Sequence, residues 1–167
     1  MVFGNLTENE SFRGITPSGR VIYTKYVSGG HDIYSVNADG TALIALANST
    51  TEGEVFGGIT PNGRVIYERS VGGQIDLHSV NADGTDNVAL TKSPDIERFS
   101  GVTPSGQVIY ALVVVGGQTD LYSINADSTG SVALTNLTGG ESFIGTTPSG
   151  RVIYARTDGA RYDALQR

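Results

Sequence analysis

Along the chain, apolar and polar positions fall into short runs of strand length, broken at regular intervals by turn residues. Residues 20–27 (RVIYTKYV) are β-branched and aromatic and lie between Pro17-Ser18-Gly19 and Ser28-Gly29-Gly30. Residues 32–36 (DIYSV) follow, then Asn37-Ala38-Asp39-Gly40, then a last run at 41–47. Ahead of them lies a short apolar segment at 11–16. Pro, Gly and Asp-Gly supply the fixed-φ and positive-φ positions that hairpin turns need. The runs between them, rich in Val, Ile, Tyr and Thr, read as strands. No window carries a helical stripe with caps. The pattern predicts four antiparallel strands, over 11–16, 20–27, 32–36 and 41–47.

This pattern recurs. ITPSGRVIY at 15–23 returns as ITPNGRVIY at 59–67, VTPSGQVIY at 102–110 and TTPSGRVIY at 146–154. A second phrase, DIYSVNADGT from Asp32, returns as DLHSVNADGT from Asp76 and DLYSINADST from Asp120. The prolines Pro17, Pro61, Pro104 and Pro148 are spaced by 44, 43 and 44 residues. A fixed period of this size marks an array whose units bury their cores against one another, and four strands per unit is a β-propeller blade. The expected fold is all-β: one propeller domain of four blades, over about 8–48, 52–92, 95–136 and 139–167, with 1–7 completing the last. MVFGNLTENESF at 1–12 aligns with VALTNLTGGESF at 132–143, so residues 1–4 are expected to pair beside 163–167 and close the ring. Closure within one chain has the higher effective concentration, and a monomer is the favoured expectation. The alternative is an exchange of residues 1–4 between two chains, giving an eight-bladed homodimer.

The repeat "L-T … F-x-x-x-T-P-S-G-R-V-I-Y … D-I-Y-S-V-N-A-D-G-T" resembles the TolB-type, or WD-like, propeller repeat over essentially the whole chain. The departure is Thr-Pro-Ser-Gly, or Thr-Pro-Asn-Gly at 60–63, where that family usually has Ser-Pro-Asp-Gly; Ser and Asn serve such a turn as Asp does. The resemblance implies a non-enzymatic scaffold that recognises a protein through its loops or central funnel, and it permits a bacterial periplasmic setting. A lectin-like or small-ligand or ion-binding propeller is the alternative. A regulatory propeller of the prolyl-oligopeptidase type is a third reading, although no Gly-x-Ser-x-Gly nucleophile elbow occurs. The similarity of the units would also suit an engineered or excised fragment.

Composition narrows the partners. A net charge of −6 and a pI near 4.7 argue against nucleic acid, which calls for basic surface. The longest apolar run, 108–115, is too short to span a bilayer as a helix. Cysteine is absent, so thiolate chemistry is excluded. No signal-peptide pattern is read at Met1, and the compartment stays open. His31 and His78, the two histidines, lie in different phases of the repeat and form neither a triad nor a zinc set. His78 stands where Tyr34 and Tyr122 stand and reads as a packing aromatic. Residues 81–86 (NADGTD) lack the length and distal glutamate of a calcium loop and read as a turn. The sequons at 5–7, 48–50 and 136–138 read as turn residues. No catalytic residue, metal ligand set or cofactor is expected.

Three columns are left as candidates. Glu10, Glu54, Glu97 and Glu141 each stand two residues ahead of a phenylalanine, at the entrance to the innermost strand. In a four-bladed ring they would form an acidic collar for a cation or a basic partner group, unless Arg side chains or backbone amides compensate them. Gly14, Gly58, Gly101 and Gly145 lie inside that strand, where Gly implies close approach at a crowded centre. Asp32, Asp76, Asp120 and Asp163 recur at the start of the third strand, as hairpin or backbone caps would. The connections also divide: Pro-Ser-Gly and Asn-Ala-Asp-Gly turns are nearly uniform, whereas those at 49–55, 93–98, 137–142 and 5–11, and at 27–31, 71–75, 114–119 and 158–162, differ. Variable loops on a rigid frame are where binding usually resides. Tyr26 and Tyr162 are the aromatic platforms near them.

Overall fold

Two turns, repeated along the chain, set the strands. At the first, the Gly19 amide donates to the Thr16 carbonyl (2.8 Å) and Gly19 takes φ 85°, a left-handed conformation that suits glycine. The Thr16 hydroxyl then accepts from the Arg20 amide at 3.1 Å, and the same arrangement recurs at Thr60, Thr103 and Thr147. At the second, Asp39 Oδ1 accepts from both the amide and the hydroxyl of Thr41, at 2.9 and 2.6 Å. Asp83 and Asp127 repeat this, and these hydrogen bonds hold all three carboxyls below the usual range.

A computed structural model describes residues 9–27, 30–114, 117–137, 139–157 and 162–166. The first sheet comprises β1 (Glu10–Ile15), β2 (Arg20–Val27), β3 (Gly30–Asn37) and β4 (Ile44–Ala47). The second holds β5 (Gly53–Ile59), β6 (Arg64–Val71), β7 (Gln74–Asn81) and β8 (Val88–Ala89), and the third β9 (Ile96–Val102), β10 (Val108–Val113), β11 (Thr119–Ile124) and β12 (Val132–Ala133). In the fourth, β13 (Gly140–Thr146), β14 (Val152–Thr157) and β15 (Tyr162–Gln166) are paired. Every sheet is an antiparallel meander in chain order. The strand expected at residues 1–4 lies outside the described residues, so the fourth sheet is described with three strands.

The outer strands start later than the sequence pattern predicts. After each Asp-Gly turn a second residue is left-handed, Ala42 at φ 51° and Asp86 at φ 52°, so extended backbone cannot resume at 41 or 85. Beyond the two-residue β8 the ladder continues irregularly. Leu90 and Thr91 amides both point at the Leu77 carbonyl, while the Thr91 hydroxyl accepts from the Leu77 amide at 2.8 Å. Thr135 does the same for Leu121.

Successive sheets pack face to face, β3 on β5, β7 on β9 and β11 on β13. Ile22, Ile33 and Leu46 of the first meet Val65, Tyr67 and Val80 of the second. Ile66, Leu77 and Leu90 of the second meet Val108, Tyr110 and Ile124 of the third. Cross-strand rings stack within the sheets, Tyr23 on Tyr34, Tyr67 on His78 and Tyr110 on Tyr122, with centroids 5.4, 5.2 and 5.5 Å apart. His78 thus fills the aromatic slot, and its burial lowers its pKa. In each innermost strand a register shift falls beside the glycine, as between Phe12 and Gly14. Gly14, Gly58 and Gly101 face the following blade's side chains rather than its backbone. A Cβ on Gly101 would lie 2.7 Å from Phe143, one on Gly58 3.0 Å from Phe99, and one on Gly14 2.9 Å from Ile59.

Candidate functional site

A meander places the β1–β2 and β3–β4 turns at one end of each sheet and the β2–β3 and β4–β5 connections at the other. The uniform end is tied by a staple that the sequence pattern does not reveal. Arg64 lies across β7, donating to Ser79 Oγ (2.5 Å), Asn81 Oδ1 (2.9 Å) and the Asp86 carbonyl (2.7 Å), and pairing with Asp86 Oδ2 at 2.7 Å. Arg20 repeats this on β3 with Ser35, Asn37 and the Ala42 carbonyl. The serine passes the connection on to the next blade: Ser79 Oγ donates to the Ala126 carbonyl at 2.8 Å, and Ser35 likewise donates to that of Ala82. Repetition at this end therefore has a structural cause. Asp83 and Asp86, in the segment read as a turn, are engaged with Thr85 and Arg64.

The variable end carries a pocket of about 350 Å³ between the first and second blades. Val27, Gly30 and Asp32 line one side, and residues 48–53 line the other. Ser49 holds the second wall, its Oγ accepting from the Glu52 amide at 3.1 Å and the Thr51 amide at 3.3 Å. On the first wall Tyr34 Oη donates to Asp32 Oδ2 at 3.0 Å. Glu52 pairs with Arg69. The pocket therefore offers carboxylates and the hydroxyl-bearing run Ser49-Thr50-Thr51, with exposed Tyr26 nearby against His31 (centroids 5.3 Å apart).

Behind this surface lie the glutamates. Glu54, Glu97 and Glu141 are 2%, 1% and 2% exposed, each at the junction with the preceding blade. Glu97 reaches the Asp76 carboxyl of that blade, and Glu141 reaches Asp120. Glu97 Oε2, Asp76 Oδ1 and Asp120 Oδ1 have no hydrogen-bond donor, while the Thr135 hydroxyl lies beside the Glu141 carboxyl and opposes the rise of its pKa. Two facing carboxylates are only acceptors, and a proton held between them satisfies both. Burial accordingly pushes Glu97 up to about 7, with Asp76 adding to the rise and hydrogen bonds from Ser93 and Thr91 opposing it. Burial raises Glu141 and Glu54 in the same direction. Glu54 keeps an amide donor from Ser49 at 3.3 Å and lies 3.9 Å from Arg69. Glu10, in the first blade, pairs with Lys25 at 3.5 Å.

The partners of Glu97 and Glu141 are thus Asp76 and Asp120 of the blade before each, whereas Glu54 leans on Ser49 and Arg69 with Asp32 acting on it only through charge. The sequence carries a signal for this, since both columns begin strands at the same end of the sheet. Among the described residues no three Asp, Glu, His or Cys side chains converge as a metal site would require. No described helix could cross a membrane, and the described secondary structure is entirely β. Asp163 and Tyr162 have no described side chains.

These sheets define a β-propeller scaffold, and comparison with solved structures gives its type. No protein-family model matches the sequence, and no curated protein does. The chain superposes on TolB of Agrobacterium tumefaciens with a TM-score of 0.66 at 18% identity, over 94% of this chain and 56% of that one. TolB from Acinetobacter baumannii gives 0.66 at 14% identity, over 95% and 40%. A structure from a nidogen/laminin complex gives 0.56 at 15% identity, over 92% and 59%. The chain spans about half the length, or less, of the TolB structures it matches. At such identities the likeness shows the fold, a TolB-type β-propeller.

Proposed function

We propose that this chain is a non-enzymatic binding propeller that recognises a protein partner through its variable end. The observation that carries this reading is the contrast between the two ends. One is occupied by repeated hydrogen-bonded turns and Arg staples, while the other combines dissimilar loops with an open, acidic, hydroxyl-rich pocket. Side chains at the stapled end are spent on the fold, whereas Thr50, Thr51 and Glu52 project from a rigid frame. A neighbouring fold is described in a complex of two proteins, which supports the use of such a scaffold for recognition. A Lys or Arg side chain of the partner would compete with Arg69 for Glu52 at the pocket wall.

The test is capture by the immobilised chain, compared with a Thr50→Ala/Thr51→Ala/Glu52→Ala variant of unchanged melting temperature. A protein retained by the parent and lost by the variant supports the reading; equal retention by both refutes this end as the site. The pocket size favours a second reading, since about 350 Å³ falls within the range of small-ligand sites. Saturable binding of a small polyhydroxylated or cationic compound, abolished by the same variant, would establish that alternative.

A further inference from the structure

The four glutamates differ in what stands opposite them. Glu10 is in cross-strand register with Lys25, Glu54 with Arg69 and Glu141 with Arg156, whereas Glu97 is in register with Leu112. Side chains in such register are neighbours, so three blades set a cation beside the glutamate and the third sets an aliphatic chain there. Burial raises Glu54 and Glu141, with Arg69 and Arg156 among the groups that oppose the rise. At Glu97 the opposing groups are the Ser93 and Thr91 hydroxyls, and burial pushes it up to about 7. The strands packed on β9 bring further charges. Asp76 of β7 meets Glu97, and Arg69 of β6 holds Glu52 and Glu54 of the second blade. Glu68 of β6 is engaged by Arg98 and the Phe99 amide, and Tyr110 of β10 is raised by burial and by Glu97.

The connection from β8 to β9 hangs on the Glu97 carboxyl. Ser93 Oγ donates to Glu97 Oε1 and accepts from the Asp95 amide at 3.1 Å. The Thr91 hydroxyl, which accepts from the Leu77 amide at 2.8 Å, also reaches Glu97. Lys92 and Pro94 between them are exposed. We propose that Glu97 is a pH-operated latch on residues 92–96: protonated, it bridges to Asp76 and holds the connection against the junction of the second and third blades; ionised, it lets the connection go. Glu97 Oε2 and Asp76 Oδ1 are both without a donor, so a shared proton is the bond that joins them. Once it leaves, a carboxylate that is 1% exposed and has no cation in register must reach water. Strands β7 and β9 are tied to β6 and β10 by their ladders, which leaves the connection as the part that yields. The junctions on either side lack the device because Arg69 and Arg156 occupy the place of Leu112. The latch lies at the variable end, and it operates whatever that end binds.

Trypsin cleavage after Lys92 in the native chain, from about pH 5.5 to about 7.5, reads the open fraction once each rate is divided by that of a free peptide spanning 88–97. The closed form keeps the Glu97 proton up to about 7 and the open form only up to the ordinary 4.5, so closure weakens as pH rises between those values. The normalised rate should therefore rise about 20-fold over the interval. Arg64, buried in its staple, should stay uncut, which separates release of the connection from global unfolding. Glu97→Gln, whose amide can donate to Asp76, should be cut slowly and at a rate independent of pH. Leu112→Arg, which supplies the cation found in the neighbouring blades, should remove most of the rise. A parent rate that does not change with pH, the same rise in Glu97→Gln, simultaneous cleavage at Arg64, or a full rise in Leu112→Arg would each overturn the proposal.

Discussion

Glu97 offers the sharpest test of the buried carboxyl pairs. Its pKa is raised from 4.5 to about 7 in the folded protein. Between those values the folded state holds a proton that the unfolded chain releases, so stability falls as pH rises through this window. Each unit is worth about 1.4 kcal/mol, which makes the loss on the order of 3 kcal/mol once Glu97 is fully ionised. For a chain of this size that corresponds to roughly 6–12 °C in melting temperature. His78 works in the opposite sense. Its lowered pKa leaves the unfolded chain with more protons, so its contribution rises with pH up to about 6.5. Comparison with Glu97→Gln at each pH removes that background. The amide keeps the shape and its NH2 group can donate to Asp76 Oδ1, taking the place of the shared proton. We expect the variant to match the parent within about 1 kcal/mol at pH 5 and to exceed it by about 2–3 kcal/mol at pH 8. Thermal melts followed by circular dichroism at constant ionic strength from pH 5 to 8 measure this. A variant less stable than the parent at pH 8, or a difference that does not grow with pH, would refute the shared-proton reasoning.

Other expectations follow from single contacts. Arg64→Ala removes the staple across β7 and should cost about 2–3 kcal/mol in chemical denaturation, with Arg64→Lys failing to restore it because the fork geometry is lost. Gly101→Ala drives a methyl to 2.7 Å from Phe143 and should cost about 1–3 kcal/mol, while Gly140→Ala, with nothing within 4 Å, should change stability by less than about 0.5 kcal/mol. Ser128 sits at φ 69° where the first two blades have Gly40 and Gly84, so Ser128→Gly should raise stability by about 0.5–1 kcal/mol; a lower denaturation midpoint would contradict the strain assigned to it.

What the sequence determined by itself is whatever depends on neighbours a few residues apart. The Pro-Ser-Gly and Asn-Ala-Asp-Gly turns close through bonds such as Gly19 to Thr16 and Thr41 to Asp39, so their residues announce them, and the 44-residue spacing then implies blades. Even here the left-handed Ala42 and Asp86 shortened the outer strands, because nothing in those side chains advertises a positive φ. The roles of the repeated columns were decided between sheets. Glu97 looked like one member of a collar of glutamates, yet its oxygen faces Asp76 of the preceding blade, a neighbour set by how two sheets pack. Gly101 signalled close approach, but only packing identified Phe143 as the group that approaches. The repeated residues Arg64 and Ser79 were legible as repetition and illegible as a staple, since a guanidinium's reach across a strand, and a serine hydroxyl's reach into the next blade, are properties of three dimensions. The pocket at 48–53 likewise depends on where two dissimilar loops come to rest beside each other. Periodicity encodes the blade because the blade is local, whereas the junctions and the buried charges exist only once one blade is laid against another.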